Sequence, residues 1–453
     1  MRIGGVQTPI AILAALALLV AAPALGQETL PPDFAETVDL DPELLVHVEM
    51  LSQDERVSRA LDLLRESDDE ITALQIRFAE IPSPDERARR RAAFFADRLR
   101  GTGLQDVHQD AVGNVIGRLR GREPELPVVV LSGHLDTVFP DLEEIVVERE
   151  GTVLRAPGVG DDAAGLAAVV YLARALRQAG VPLKRDLYVV GTVGEEGEGD
   201  LHGVKSLFSD ELPPDRVHAF LTVDLGLQTQ LVNEGLGSRR LLVTVLGPGG
   251  HSWGDFGRPN PIHALARAVS EFLSTALPPG ERSSFNIGMI EGGRGVNVIP
   301  ESASMRVDIR SESPQLLAEI ESRFRATLDS ALADERDWAS IDIPLELEVE
   351  TIGDRPSGRT PADSPLVRTV VAAFASQSLA ALLGSSSTDA NWPMSLGVPA
   401  LALPHGCQGR DAHSIAESCD TAGRPPVLAA ELLALVALAE LDGPLEPLRA
   451  PTD

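Results

Sequence analysis

Four short runs in this chain are apolar at nearly every position: Pro127–Leu131 (PVVVL), Leu187–Val193 (LYVVGTV), Ala219–Val223 (AFLTV) and Val398–Leu403 (VPALAL). A strand with one wet face alternates apolar and polar residues, so runs without alternation are strands buried on both faces. Stretches of helical period lie around them. Asp162–Gln178 is followed by Gly180 in a capping position, and Pro426–Leu441 closes the pattern. Further upstream, LLVHVEML, RALDLLRES and ERARRRAAFFADRLRGTG carry the same 3.6-residue period. Buried strands bounded by helices predict an α/β fold with a mixed, largely parallel sheet sandwiched by helices. At 453 residues the chain has room for two or three folding units.

The pattern changes between Ser238 and Asp354. Strands are predicted at Arg240–Leu246, Phe285–Ile290, Ser302–Ile309 and Ile341–Glu350, with helices at Pro261–Leu273 and Gln315–Leu332. That order is βαββαβ, a ferredoxin-like α+β arrangement inserted into the α/β body. The expected division is a body of residues 43–237 and 355–445 with an inserted module of residues 238–354. At the N-terminus, Arg2 precedes an apolar run, Ile10–Ala22. A membrane span needs about 20 apolar residues, so this shorter run reads as the core of a signal peptide covering residues 1–26, with Ala24 and Gly26 before the cleavage point. Residues 27–42, acidic and Pro-containing, read as a linker. The expectation is an exported protein, periplasmic or secreted. In that oxidising setting Cys407 and Cys419 are either a disulfide or a reduced pair. A formal net charge of −29 argues against nucleic acid as a partner and against electrostatic docking on anionic lipid.

Each body strand is followed closely by a side chain able to hold a metal. His134 and Asp136 follow PVVVL, Glu195 and Glu196 follow LYVVGTV, Asp224 follows AFLTV, and the loop after VPALAL leads to His413. Asp161 and Asp162 open the helix that begins in GVGDDAAG. Ligands of open α/β sheets gather beyond the carboxyl ends of the strands. Carboxylates crowded there repel one another unless a cation lies between them. Imidazole and carboxylate without thiolate suit zinc, and also cobalt or manganese. In His134-x-Asp136 the carboxylate is placed to hold the other imidazole nitrogen. Glu195 and Glu196 are adjacent and so point opposite ways along an extended segment, one toward a metal and one toward an attacked water.

The motifs GHLDT, GDDAAG, GEEGEG, VDLG, GPGGHSW, GGRGVNVIP…DIR and DAHS occur in this order between residues 133 and 414, within a resemblance that covers about residues 70–440. In combination they resemble the co-catalytic two-zinc metallopeptidase and deacylase family of peptidase T, carboxypeptidase G, aminoacylase-1 and succinyl-diaminopimelate desuccinylase. The resemblance implies two divalent ions, zinc first, with Asp161 bridging them. His134 and Asp224 would complete one ion's ligands, and Glu196 and His413 the other's. It implies Glu195 as general base and Asp136 as the orienting acid. His251 would reach a partner subunit's site, and Asn297 and Arg310 would contact the substrate's carboxylate or carbonyl oxygen. The helix-opening motif has Ala163 where the family often has Lys, which is no ligand. Gly384–Asp389 resembles a pocket-lining loop of the family, leaving Asp389 between a substrate contact and an ordinary loop residue. His202, His405, His47, His108, His218 and His263 read as structural.

The implied reaction is hydrolysis of a peptide or N-acyl amide bond by a homodimer whose modules carry an inserted lid and dimerisation role. In the family it resembles, this position tends to be Asp in aminopeptidases, dipeptidases and aminoacylases and Glu in carboxypeptidase G and the desuccinylase, so by that resemblance Asp224 leans toward an amino-, di- or tripeptidase acting on short peptides. The alternatives are an N-acyl-amino-acid deacylase and, from another class, a metal-dependent binding protein without catalysis.

Overall fold

The computed structural model of the chain describes residues 34–36, 38–83, 88–139 and 142–445. The expected signal peptide, residues 1–26, lies outside them. Within the stretch read as a linker, Phe34–Glu36 is an edge strand antiparallel to Leu382–Ser386. Among the described residues no helix is long and apolar enough to cross a membrane.

The body is a ten-stranded mixed sheet. At its centre Leu187–Thr192, Val128–His134, Val217–Leu225 and Ala400–Pro404 lie parallel and adjacent. Antiparallel Val115–Leu119 and Gln105–Gln109 extend one side, and Gln230–Gly235 and Leu382–Ser386 the other. These flanking strands have no counterpart in the sequence reading, because they are short and sit beside more polar residues.

Val128–His134 and Ala400–Pro404 are buried at every position, as unbroken apolar runs require. One sheet face packs on the helices Glu55–Glu66, Asp68–Ala79, Arg89–Thr102, Ala163–Ala179, Pro365–Ser376 and Arg424–Ala439. The other packs on a smaller cluster that includes Phe208, Phe220 and Met394. Asp68–Ala79 was missed as a separate helix. Ser67 separates it from its predecessor and is the C-cap of one helix and the N-cap of the next.

A second sheet of four antiparallel strands, Ser283–Gly292, Ser302–Ser311, Gly237–Leu246 and Glu346–Arg355 in spatial order, lies along residues 237–355. The helices Pro261–Leu273 and Pro314–Trp338 cover one face of it, burying Leu241, Val243, Val245, Met305, Val307 and Ile309. Period-2 alternation sends Arg240, Arg306, Asp308 and Arg310 to the opposite face.

Candidate metal centre and active site

The site is built where the central strands end. His134 is the last residue of Val128–His134, and two bonds fix it. Its main-chain N–H donates to Asp162 Oδ2 at 2.9 Å, and its ring Nδ1 lies 3.2 Å from the carbonyl of Asp136. That carbonyl holds Nδ1, leaving Nε2 to face Asp161 Oδ1 at 2.8 Å and Asp224 Oδ1 at 3.5 Å. The Asp136 carboxylate lies 3.9 Å from the ring. It accepts instead from the main-chain N–H groups of Glu195 (3.2 Å) and Glu196 (2.8 Å). Asp136 therefore orients the imidazole through its backbone, and its carboxylate sets the loop that carries the two glutamates.

The acidic pair Asp161–Asp162 divides its labour across a cis peptide bond. Asp162 is fully buried, caps the helix Ala163–Ala179 by accepting from Gly165 N–H at 3.0 Å, and pins His134 with its other oxygen. A Cβ on Gly165 would lie 1.9 Å from the Val223 carbonyl, so only glycine lets this helix start so close to the sheet. Asp161 lies between two imidazoles, with Oδ1 toward His134 and Oδ2 3.0 Å from His413 Nε2. His413 Nε2 is also 3.2 Å from Glu196 Oε1.

The remaining support comes from the loop that carries His413. Cys407 and Cys419 are disulfide-bonded, and Ser418–Asp420 pairs with Val153–Arg155. Glu417, which the sequence reading missed, is buried and accepts from the N–H groups of Gly158 (2.7 Å), Gly160 (2.8 Å) and Asp161 (3.0 Å). Its carboxylate locks the turn that presents Asp161. Spacing gives no sign of this role, because the turn lies about 250 residues upstream.

The charge balance follows from this crowding. Burial works to raise the Asp161 carboxyl, but bonds from His134 and His413 outweigh it and hold the group well below the usual carboxylate range. Burial by itself lowers His134, yet Asp161 and Asp224 raise its imidazole well above an ordinary histidine. Asp161 and Glu196 push His413 up to about 11. Burial raises Glu196 and Asp224, and neighbouring Asp161 adds to both. The donors fit a divalent cation, since one ligand atom from each of His134, Asp161 and Glu196 lies within 4.8 Å of the others.

Glu195 and Glu196 diverge as expected of neighbours on an extended segment. Glu196 turns to His413, and Glu195, 6 % exposed, meets Arg355 Nη1 at 3.1 Å. Burial pushes the Glu195 carboxyl well up, while Arg355 pulls it down. His251, Asn297 and Arg310 are not brought to this cluster. Among the described residues their bonds stay in the second sheet's module: His251 Nδ1 accepts from Trp253 and Gly254, the Asn297 carbonyl from Ser252, and Arg310 pairs with Asp308 at 2.7 Å. Asp389 is fully buried and accepts from Thr192 Oγ1 at 2.5 Å. His202 braces the Gly199 carbonyl at 2.9 Å, and His405 is buried with its ring pushed down to about 4 by desolvation.

Comparison with known proteins places this geometry. The chain is 26 % identical over 217 residues to N-carbamoyl-L-amino-acid amidohydrolase of Paenarthrobacter aurescens, covering 47 % of this chain and 44 % of that protein. It is 28 % identical over 279 residues to succinyl-diaminopimelate desuccinylase of Corynebacterium glutamicum, covering 59 % and 73 %. The matched stretch thus spans less than half of the first relative. Among solved structures, aminopeptidase PepT of Bacillus cereus superposes with a TM-score of 0.66 at 18 % identity, over 82 % of this chain and 99 % of that one. The YXEP protein of Bacillus subtilis, described as a dinuclear metal-binding peptidase, gives 0.62 at 16 %, over 83 % and 99 %. At those identities the likeness is one of fold. The model of peptidase family M20/M25/M40 matches residues 130–439, which hold the whole His134–Asp161–Glu196–Asp224–His413 cluster, and the chain belongs to that family.

Proposed function

We propose that this chain is a metal-dependent hydrolase of amide bonds, acting on short peptides as an amino-, di- or tripeptidase. The observation that carries the reading is Asp161 set between His134 and His413, with Glu196 and Asp224 on either side and a further carboxylate, Glu195, alongside and turned away from the ligands. His134, Asp161 and Asp224 would hold one divalent ion, and Asp161, Glu196 and His413 a second, with zinc the first choice and cobalt or manganese next. Ions so held supply Lewis acidity to the amide carbonyl and lower the pKa of a water at the site. Glu195 takes the proton of the attacking water and returns it to the leaving nitrogen. Asp136 holds the main chain of both glutamates during that transfer. The relatives' names favour a second reading, removal of an N-acyl or N-carbamoyl group from an amino acid.

We also place the protein outside the cytoplasm as a homodimer. The signal-like run Ile10–Ala22 and the Cys407–Cys419 disulfide support export. The open edge strand Ser283–Gly292, with Met289 and Ile290 exposed, supports pairing of modules. The test is turnover by protein loaded with zinc, cobalt or manganese against free dipeptides, tripeptides, N-acetyl and N-carbamoyl amino acids. Glu195→Gln is expected to lower kcat by about 100- to 10,000-fold with unchanged metal content. Wild-type turnover in that variant would remove Glu195 as base. No turnover by the wild type on any of these amides would favour the binding-protein reading.

A further inference from the structure

Arg355 ends the strand Glu346–Arg355 of the second sheet and is 5 % exposed. Nothing in the reaction as described uses it. Its Nη1 donates to Glu195 Oε1 at 3.1 Å and to Ser387 Oγ at 3.2 Å, and its Nη2 donates to the main-chain carbonyl of Glu195. One guanidinium therefore grips the carboxylate and the backbone of the same residue. A planar fork with fixed donors does this, and a lysine ammonium cannot hold both acceptors in that geometry. The rest of the loop is held from the same module. Arg240 donates to the Gly197 carbonyl, Arg306 pairs with Glu198, and Asp354 N–H donates to Asp200 Oδ1 at 2.6 Å. Lys205 closes the contact, reaching Asp200 Oδ2 at 2.7 Å and the Asp354 carbonyl at 2.9 Å. The loop needs such support, since Gly194 and Gly197 both sit at positive φ where the chain has little stiffness of its own. From the body side, Asp136 fixes only the N–H groups of Glu195 and Glu196. Among the described residues, the side chain of Glu195 is held from the second module.

We propose that Arg355 is a positioning residue for Glu195: its fork holds that carboxylate in one rotamer, so the placement of the second module sets the placement of the base. The functional half rests on Glu195 acting as base, whereas the structural half stands without it. The experiment uses the full chain as wild type, Arg355→Ala and Arg355→Lys, with hydrogen exchange and steady-state kinetics read side by side. In Arg355→Ala, amide exchange over residues 194–200 is expected to rise about tenfold while the helices of both units keep wild-type protection. With two ions still bound, kcat is expected to fall about 100-fold at a KM within about threefold of wild type, the pattern of a misplaced group. Arg355→Lys keeps the charge without the fork and is expected to recover only a minor part of kcat.

Unchanged exchange over residues 194–200 would overturn the proposal. So would a raised KM at wild-type kcat, which would make Arg355 a substrate contact, or full activity in Arg355→Lys. If Arg355→Ala does not fold, Arg355→Lys decides by the same two readouts. If the wild type turns over no amide, the reaction reading fails and exchange alone judges the structural half.

Discussion

At the scale of single residues, position 389 illustrates how burial decides chemistry. Asp389 is fully buried, its Oδ1 has no hydrogen-bond partner among the described residues, and its Oδ2 lies 2.5 Å from Thr192 Oγ1. The Thr192 hydroxyl donates to Asp389 Oδ2 and also lies 3.2 Å from the Gly133 carbonyl, so the contact runs to the strand that ends in His134. Desolvation pushes the Asp389 carboxyl up to about 7, with Thr192 acting in the opposite sense. A carboxyl raised on folding contributes stability that is fully present below its unfolded pKa of about 4 and is lost as pH rises through about 7. Asp389→Asn mimics the protonated form and has no proton to lose. Relative to wild type, this variant is expected to gain on the order of 3 kcal/mol between pH 4 and pH 8. Urea unfolding of both proteins across that range checks it, and a pH-independent difference would mean that Asp389 is ionised throughout.

At the scale of elements, the segment between the two cysteines joins three structures. Its disulfide closes the loop, its strand Ser418–Asp420 extends the small sheet, and its Glu417 carboxylate holds the Asp161 turn. Buried polar groups back it: Gln75 Nε2 reaches the Val159 carbonyl at 2.7 Å and Cys419 Sγ at 3.0 Å, and Gln75 Oε1 accepts from Arg424. His413 sits at φ 63°, a left-handed conformation that a non-glycine residue holds only when its surroundings enforce it. A Cys407→Ser/Cys419→Ser double variant is expected to lose about 3 kcal/mol of stability, by the loop-entropy argument. It is also expected to release the ion nearest His413 first, so that metal content after dialysis falls from two toward one per chain. Retention of both ions at wild-type affinity would show that Glu417 and the strand pairing suffice.

At the scale of the whole molecule, the proposed trans role of His251 bears on assembly. His251 is exposed on a short two-stranded ribbon of the second module, paired with Val298, with Trp253 and Phe256 exposed nearby in sequence. If it completes the site of a second copy, the enzyme works only as a dimer. Losing an oxyanion donor costs about 100- to 1,000-fold in turnover, so His251→Ala and Glu195→Gln are each expected to be nearly inactive alone. Mixed under conditions of subunit exchange, they form a heterodimer in which one site has both wild-type residues, and a limited fraction of activity is expected to return. No recovery despite exchange seen by mass spectrometry, or full activity from a monomer, would end the trans assignment.

Unbroken apolar runs such as Val128–Leu131 announced a sheet buried on both faces, because burial of a strand is written in its own side chains. The residues after those runs were legible for the same local reason: His134, Glu195, Glu196 and Asp224 follow directly from strand ends. Asp161 and Asp162 look alike in sequence, and only the packing of helix on sheet made one a cap and the other the shared centre of two imidazoles. The spacing of Asp136 aims its carboxylate at the His134 ring, whereas folding brings the N–H groups of residues 195 and 196, some 60 positions away, to that carboxylate and leaves the ring to the Asp136 carbonyl. Glu417 and Arg355 left no trace in spacing or composition. Their partners are distant in sequence, and a hydrogen bond between remote segments is specified by the fold that juxtaposes them, not by any local pattern.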